Sequence, residues 1–533
     1  MPAYLLKFSI SIIIIFLVGC QPGQKKELSA AHSGSKSPSV PVATGPYIPP
    51  VFEQDNRKQQ LRSVAPKLKE LMVEHANERH LSGLSWGIVV DNELVVADAY
   101  GLANREEEIP ASTTSAFRIA SMTKSFTAMA IIKLRDAGKL SLEDEVTRYL
   151  PEADSLRYLT TDAPPIKIKN LLTMTAGFPE DNPWGDRQLE EPEQMLSDLM
   201  KAGISFSNVP AYGYEYSNTG FAMLGLLVQR VSGMPYEEYI RKEIFIPLEM
   251  NNTRWEIDNV PNEELVIGYR WEDGKYKKEP MLHHGIYGAM GGIITTIEDF
   301  SKYVSFHLSA WPPRSNEDNG PVKRSSLREM HTPQFSRLDA DATNWNGNPC
   351  PQLVGYGYGL RINKDCKGTF QVGHGGALPG FGSNYKFYPE LGIGFMAFCN
   401  RTYTSPWPWE KILPVIFQDL DLKPRELPVS AVLKERKEQV VNLLQTWDNT
   451  LEKDLLAENF YRDRSRDKRI EEAEKMLKRV GDVQEVTALK PENQLRGSFN
   501  IRGANGTLHL YFTLTPQPEA RVQRLEIAFD PLS

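Results

Sequence analysis

The stretch Phe117-Arg-Ile-Ala-Ser-Met-Thr-Lys124 places a hydroxyl, Ser121, and an amine, Lys124, three residues apart. After Ser121 the apolar residues Met122, Phe126, Met129, Ala130 and Leu134 recur at steps of three and four, which predicts a helix that opens at Ser121, stops at Gly138 and buries most of its girth. Residues three apart share a helical face, so the Lys124 amine sits one turn above the Ser121 hydroxyl. Serine is a poor nucleophile at its own pKa, whereas a desolvated lysine near a helix N-terminus can be brought down to ~7–8 and accept the hydroxyl proton. The chemistry expected is nucleophilic catalysis by a Ser-Lys pair. The spacing alone is not specific, since Ser33 and Lys36, Ser383 and Lys386, and Ser465 and Lys468 repeat it elsewhere. Ser121 is distinguished by its place at the mouth of a buried helix and by two partner motifs downstream.

The first partner is Tyr214-Glu-Tyr-Ser-Asn218, which opens a buried helix from Phe221 to Val231. Tyr216 and Asn218 point the same way if the loop is extended. A phenol near an ammonium can relay a proton to a leaving group, and an amide can both donate to and accept from a substrate. A core tyrosine with a helix-capping asparagine is the structural alternative. The second partner, His374-Gly-Gly376, ends a predicted strand. Its glycines let a substrate chain lie along the strand and free the Ala377 N–H as a donor, unless they form a plain turn. Gly83-Leu-Ser-Trp-Gly87 matches the G-x-S-x-G nucleophile elbow, but a helix precedes it and a strand follows, the reverse of what that motif needs.

In this order the three motifs resemble the penicillin-recognising serine hydrolases: class C β-lactamases, D-Ala-D-Ala carboxypeptidases, D-aminopeptidases and related esterases. The resemblance runs from about Leu61 to Leu420. It implies an α+β fold of β-lactamase/transpeptidase type, an antiparallel sheet built from both ends of that region, flanked by helices and carrying a mostly helical lobe. It further implies that Ser121 is acylated, Lys124 activates it and Tyr216 shuttles the leaving-group proton. Asn218, His374, Gly375 and Gly376 would bind substrate, with the N–H groups of Ser121 and Ala377 as the oxyanion hole. The β-lactamases of this group carry lysine where this chain has His374. A neutral imidazole is a weaker anchor for a carboxylate, so D-amino-acid peptides, peptidoglycan fragments or small esters are expected ahead of antibiotics. A class C-like β-lactamase and a catalytically silent cell-wall binding lipoprotein are the competing expectations.

The elements that must position these groups follow in order. Lys7 and the apolar run Phe8 to Val18 are too short to span a bilayer and lead to Leu17-Val-Gly-Cys20, which resembles a bacterial lipoprotein signal. Residues 1–19 are expected to be removed and Cys20 lipidated. The mature protein would then be held on a membrane, with Gln21 favouring the periplasmic face of the outer membrane. A flexible linker occupies residues 20–56, the hydrolase domain 57–422 and a small α+β domain 423–533. That last domain is loosely analogous to cystatin or NTF2-like folds and is expected to act as a steric or substrate-gating module. A helix from Leu61 to His80 precedes a hairpin at Trp86 and Leu94; Ala310 to Pro351 reads as a surface excursion; strands follow at 356–362, 369–374, 382–389 and 393–399. Cys350 and Cys366 could close a loop, and Cys399 reads as a buried thiol. A net charge of -7 without a basic run argues against nucleic acid as partner. No metal-ligand spacing emerges, and no cofactor is expected.

Overall fold

The computed structural model describes residues 46–532 except 183, 345 and 421. The expected signal peptide (1–19), Cys20 and most of the linker lie outside the described residues. Nine strands form one antiparallel sheet: β1 Gly83–Val90, β2 Glu93–Asn104, β3 Ile109–Pro110, β4 Phe335–Asp339, β5 Gln352–Tyr356, β6 Arg361–Lys364, β7 Phe370–Leu378, β8 Phe381–Tyr388 and β9 Ile393–Cys399. Their spatial order is β3-β2-β1-β9-β8-β7-β6-β5-β4. The first strand of this sheet in chain order therefore pairs with its last, Leu84 opposite Cys399 and Val90 opposite Ile393.

Both faces of the sheet are covered, which is why β1 is buried at every position and reads as a near-continuous apolar run. One face packs on α1 (Arg57–Glu78) and on the segment around Trp407 and Ile412, through Leu84, Trp86, Ile88, Phe395 and Ala397. The other packs on α4 (Ile297–Ser309) and, through Tyr385 against Ser125, on α2 (Thr123–Asp136), against which α3 (Asn218–Ser232) lies in turn. Helix α3 is capped by Ser217, whose side chain accepts from the Gly220 N–H, and ends at Gly233 in the left-handed conformation.

Two expectations are corrected. The region 310–351 is not only a surface excursion: it contains a helix at Arg324–Met330 and strand β4, which forms the sheet edge. Its sequence, Phe-Ser-Arg-Leu-Asp, lacks an apolar face because an edge strand of this kind is mostly exposed. The single strand expected over 356–362 is two strands, β5 and β6, joined by a tight turn in which Gly359 has φ +67°. A Cβ there would fall 2.7 Å from the Lys124 carbonyl oxygen, so the turn packs directly on α2.

Beyond residue 430, α5 (Ala431–Thr446), α6 (Asn449–Leu455) and α7 (Arg466–Val480) precede five strands, β10 Val483–Val486, β11 Lys490–Asn493, β12 Arg496–Gly503, β13 Gly506–Leu514 and β14 Val522–Pro531. Their apolar side chains form a core of their own, centred on Leu433, Leu443, Phe499, Leu510 and Val522. Cys350 and Cys366 are disulfide-bonded, and Cys399 is a buried free thiol.

Candidate active site

Ser121 lies in a short 3₁₀ turn, Ala120–Met122, that runs into α2. Ala120 takes φ +51°, a left-handed conformation that is costly for a residue with a Cβ and marks a stored strain just before the nucleophile. Several bonds fix the start of α2. The Ser383 hydroxyl on β8 donates to Ile119 O at 2.7 Å, and Thr127 Oγ1 donates to Ala289 O at 2.6 Å. The Tyr303 and Tyr385 hydroxyls converge on Ser125 Oγ at 2.9 and 3.2 Å.

Lys124 has no exposure to solvent. Its Nζ lies 3.0 Å from Ser121 Oγ, 2.7 Å from Asn218 Oδ1 and 3.0 Å from Met290 O. Asn218 Oδ1 and Met290 O can only accept, so a neutral amine gives its two hydrogens to them and turns its lone pair toward the Ser121 hydroxyl. Burial pushes the amine down to about 7, against the pull of the Asp186 and Asp181 carboxylates; the Arg361 guanidinium lowers it further. A base that is half neutral near physiological pH is the requirement for taking a serine proton.

Tyr216 completes the group. Its ring centroid is 4.9 Å from Lys124 Nζ and 6.2 Å from the His374 ring. Burial pushes its phenol well above the ordinary value, while a hydrogen bond with Ser121 pulls the other way. The phenol is therefore protonated at neutral pH and suited to relaying a proton, leaving the base role to Lys124.

Asn218 is fully buried and committed to the protein: besides accepting from Lys124, its Nδ2 donates to Asn182 Oδ1. In this arrangement it orients the base rather than facing a substrate. His374 also turns inward. It is 2% exposed, its Nε2 is 3.1 Å from the Tyr356 hydroxyl, and its Nδ1 contacts the Gly375 carbonyl. Burial holds the imidazole well below its ordinary pKa, with Arg361 and Lys124 adding to the effect, so it carries no charge for an anion. Gly376 is a packing glycine, because a Cβ would lie 2.3 Å from Ile119 O and 2.4 Å from Ser383 Oγ. It lets β7 approach the Ser121 turn closely, which brings Ala377 beside the nucleophile's segment. Gly375 faces the opposite side, where a Cβ meets Asn384 Nδ2 at 3.1 Å.

Two functional side chains escape the motif reading. Arg361 on β6 holds its guanidinium 5.7 Å from the Tyr216 ring centroid and supplies the cation that His374 lacks. Its only sequence signal is its place on an alternating strand. Asp186, in the loop before α3, is 2% exposed; its Oδ2 accepts from the Tyr403 hydroxyl at 3.1 Å, while its Oδ1 has no partner among the described residues. Burial raises its pKa and the Lys124 charge opposes that rise. Its neighbour Gly185 abuts the Asn218 side chain, where a Cβ would fall 2.7 Å from Asn218 Cβ. The decoy Ser85 lies inside β1 and donates to Ser112 O at 3.0 Å.

The sequence and the fold both have relatives among known proteins. The chain is 27% identical over 387 residues to "Protein flp" of Staphylococcus aureus, covering 71% of each. It resembles the octameric penicillin-binding protein homologue from Pyrococcus abyssi with a TM-score of 0.56 at 23% identity, over 87% of this chain and 98% of that one. A class C β-lactamase gives a TM-score of 0.53 at 18% identity, over 70% and 99% of the two chains; both structures speak for the fold. Residues 68–408, which contain all three motifs, match the family model for beta-lactamase, and the chain belongs to the beta-lactamase family.

Proposed function

We propose that this protein is an envelope-anchored serine hydrolase that cleaves the amide bond preceding a C-terminal D-amino acid, as found in peptidoglycan-type peptides, through an acyl-enzyme on Ser121. The observation that carries the reading is the approach of the buried Lys124 amine to Ser121 Oγ at 3.0 Å, with Arg361 beside the Tyr216 ring as the group for a terminal carboxylate.

Neutral Lys124 takes the Ser121 proton as Oγ bonds to the substrate carbonyl carbon. The oxyanion is received by the N–H groups of Ser121 and Ala377. Collapse breaks the C–N bond; Tyr216 gives its proton to the departing amine and is reprotonated by the Lys124 ammonium, which restores the neutral base. Water then attacks the ester carbonyl and gives up a proton to Lys124; as the acyl C–O bond breaks, the Lys124 ammonium returns that proton to Ser121 Oγ, which releases the carboxylic acid and restores the free serine and the neutral base. Activated esters enter the same cycle without needing the leaving-group proton.

Cleavage before Cys20 and lipidation of that residue would hold the enzyme on the periplasmic face of the outer membrane, where such substrates lie. Replacing Cys20 by serine should move the protein from the membrane to the soluble fraction.

Covalent labelling by a fluorescent penicillin or fluorophosphonate tests the central claim. Wild-type protein is expected to label and Ser121→Ala not to; equal labelling of both overturns the assignment. Release of D-alanine from a D-Ala-D-Ala peptide, with slow nitrocefin turnover, separates the peptidase from the β-lactamase reading.

A further inference from the structure

A cavity of about 450 Å³ opens beside the catalytic group. Arg337, Arg361 and Lys386 line it with Tyr214 and Phe335, and no aspartate or glutamate is among its described lining residues. Strand register explains why the two guanidinium groups share it. Phe335 pairs with Tyr356, which pairs with Arg361, which pairs with Gly373. Two residues along, Arg337 pairs with Val354 and Val354 with Asn363. Side chains on one rung, and those two residues further on, project from one face of the sheet, so Arg337 and Arg361 stand over the same surface. Two strand spacings and two residues of rise put their Cα atoms roughly 12 Å apart, and two arginine side chains leaning together can narrow that to the span of a dicarboxylic amino acid.

Val354 and Tyr356 of β5 stand between the two arginines, Gly373 and Gly375 leave the β7 side of the cavity without side chains, and the Phe335 and Tyr214 rings, stacked at 5.9 Å, form an apolar wall. The third cation, Lys386, rests on the Trp409 ring at 4.3 Å and is engaged there. Tyr216, the proposed donor to the leaving group, adjoins the cavity through Arg361, whose guanidinium is 5.7 Å from the Tyr216 ring centroid. The cavity is thus on the leaving-group side of the scissile bond.

We propose that this cavity selects a leaving group with two carboxylates: Arg361 takes the α-carboxylate and Arg337 the side-chain carboxylate of a C-terminal acidic residue such as D-glutamate. This rests on the peptidase reading above and extends it to substrate class. Arginine is suited to the task, since its fork gives paired charge-assisted bonds to a planar carboxylate that an amide of the same shape cannot return.

The test uses the full-length protein and compares kcat/KM for N-acetyl-D-Ala-D-Glu and N-acetyl-D-Ala-D-Gln at pH 7.5. Wild type is expected to favour the acid by about 10- to 100-fold, the worth of a charge-assisted pair. Arg337→Ala should bring the ratio to about one, Arg337→Lys should retain part of it, and Arg361→Ala should lower turnover of both. A wild-type ratio of one, or a ratio unchanged in Arg337→Ala, overturns the proposal. Inhibition of p-nitrophenyl acetate hydrolysis by free D-glutamate against D-glutamine reads the cavity without any peptidase step. If inhibition favours D-glutamate in wild type only and no peptide is cleaved, the peptidase reading fails and the pocket stands. No preference in either assay removes the pocket.

Discussion

Asn218 Oδ1 lies closer to the Lys124 amine, at 2.7 Å, than Ser121 Oγ does, at 3.0 Å. The residue that holds the base is thus bound to it more tightly than the hydroxyl it activates, and small charge changes around the amine should be read directly in the pH profile.

With Lys124 brought down to about 7 by burial, kcat/KM should rise as pH increases through that value, because the ammonium form cannot accept the Ser121 proton. Asp186→Asn removes a carboxylate that holds the lysine pKa up, so the acid limb should move to lower pH. Asn218→Asp adds a negative charge beside the amine and should move the limb up by about 1 to 3 units. Initial rates between pH 5 and 9 check both directions; shifts of the same sign in the two variants would contradict the assignment.

Tyr216→Phe should separate amide from ester chemistry. An amine leaving group needs the phenol proton, whereas p-nitrophenolate departs without one, so acylation by amides should fall about 10²–10⁴-fold and by p-nitrophenyl esters far less. Pre-steady-state release of nitrophenol beside peptide turnover gives the comparison.

The glycines at 375 and 376 should respond differently to alanine. At Gly376 the new methyl meets Ile119 O and Ser383 Oγ well inside contact distance, which costs about 1–3 kcal/mol and pushes β7 away from the nucleophile. Gly375→Ala has only the end of the Asn384 side chain to displace. Thermal melts should show a lowered Tm for the first and a change within about 0.5 kcal/mol for the second.

A buried histidine pair should make the fold sensitive to acid. Trp311 Nε1 donates to His331 Nδ1 at 3.0 Å, so His331 carries its hydrogen on Nε2 and donates to His307 Nδ1 at 2.7 Å. Burial holds His307 down to about 3 and His331 well below its ordinary value. The unfolded chain binds protons near pH 6.5 that the folded one refuses, so the stability from this pair is complete above about 6.5 and is lost as pH falls toward 3. Urea midpoints at pH 7.5, 6 and 5 should decline, and His307→Phe should flatten the decline.

Ser121, Lys124 and Tyr216 are legible in the sequence because each belongs to a short motif at the edge of an apolar element, and the fold brings all three together. Apolar runs bounded by turn residues likewise mark most of the central strands. His374 shows where local reading runs out: a histidine among glycines looks available, and only the pairing of β7 with β8, with Tyr356 nearby, turns its ring inward. Arg337 and Arg361 share a cavity through the pairing of three strands, information that no single window holds. Strand β4 reads from the sequence as part of a surface excursion because its exposed edge position imposes no apolar pattern, and Asp186 sits in a loop with no periodicity to reveal it.

The pairing of Leu84 with Cys399 has a consequence during synthesis. At about 5–20 residues per second, the strand at Gly83–Val90 emerges some 15–60 seconds before the strand that closes its open side. For that interval a segment destined for burial at every position is unprotected. The growing chain therefore depends on a holding factor, or on remaining extended in a translocation channel, to avoid sticking to its neighbours.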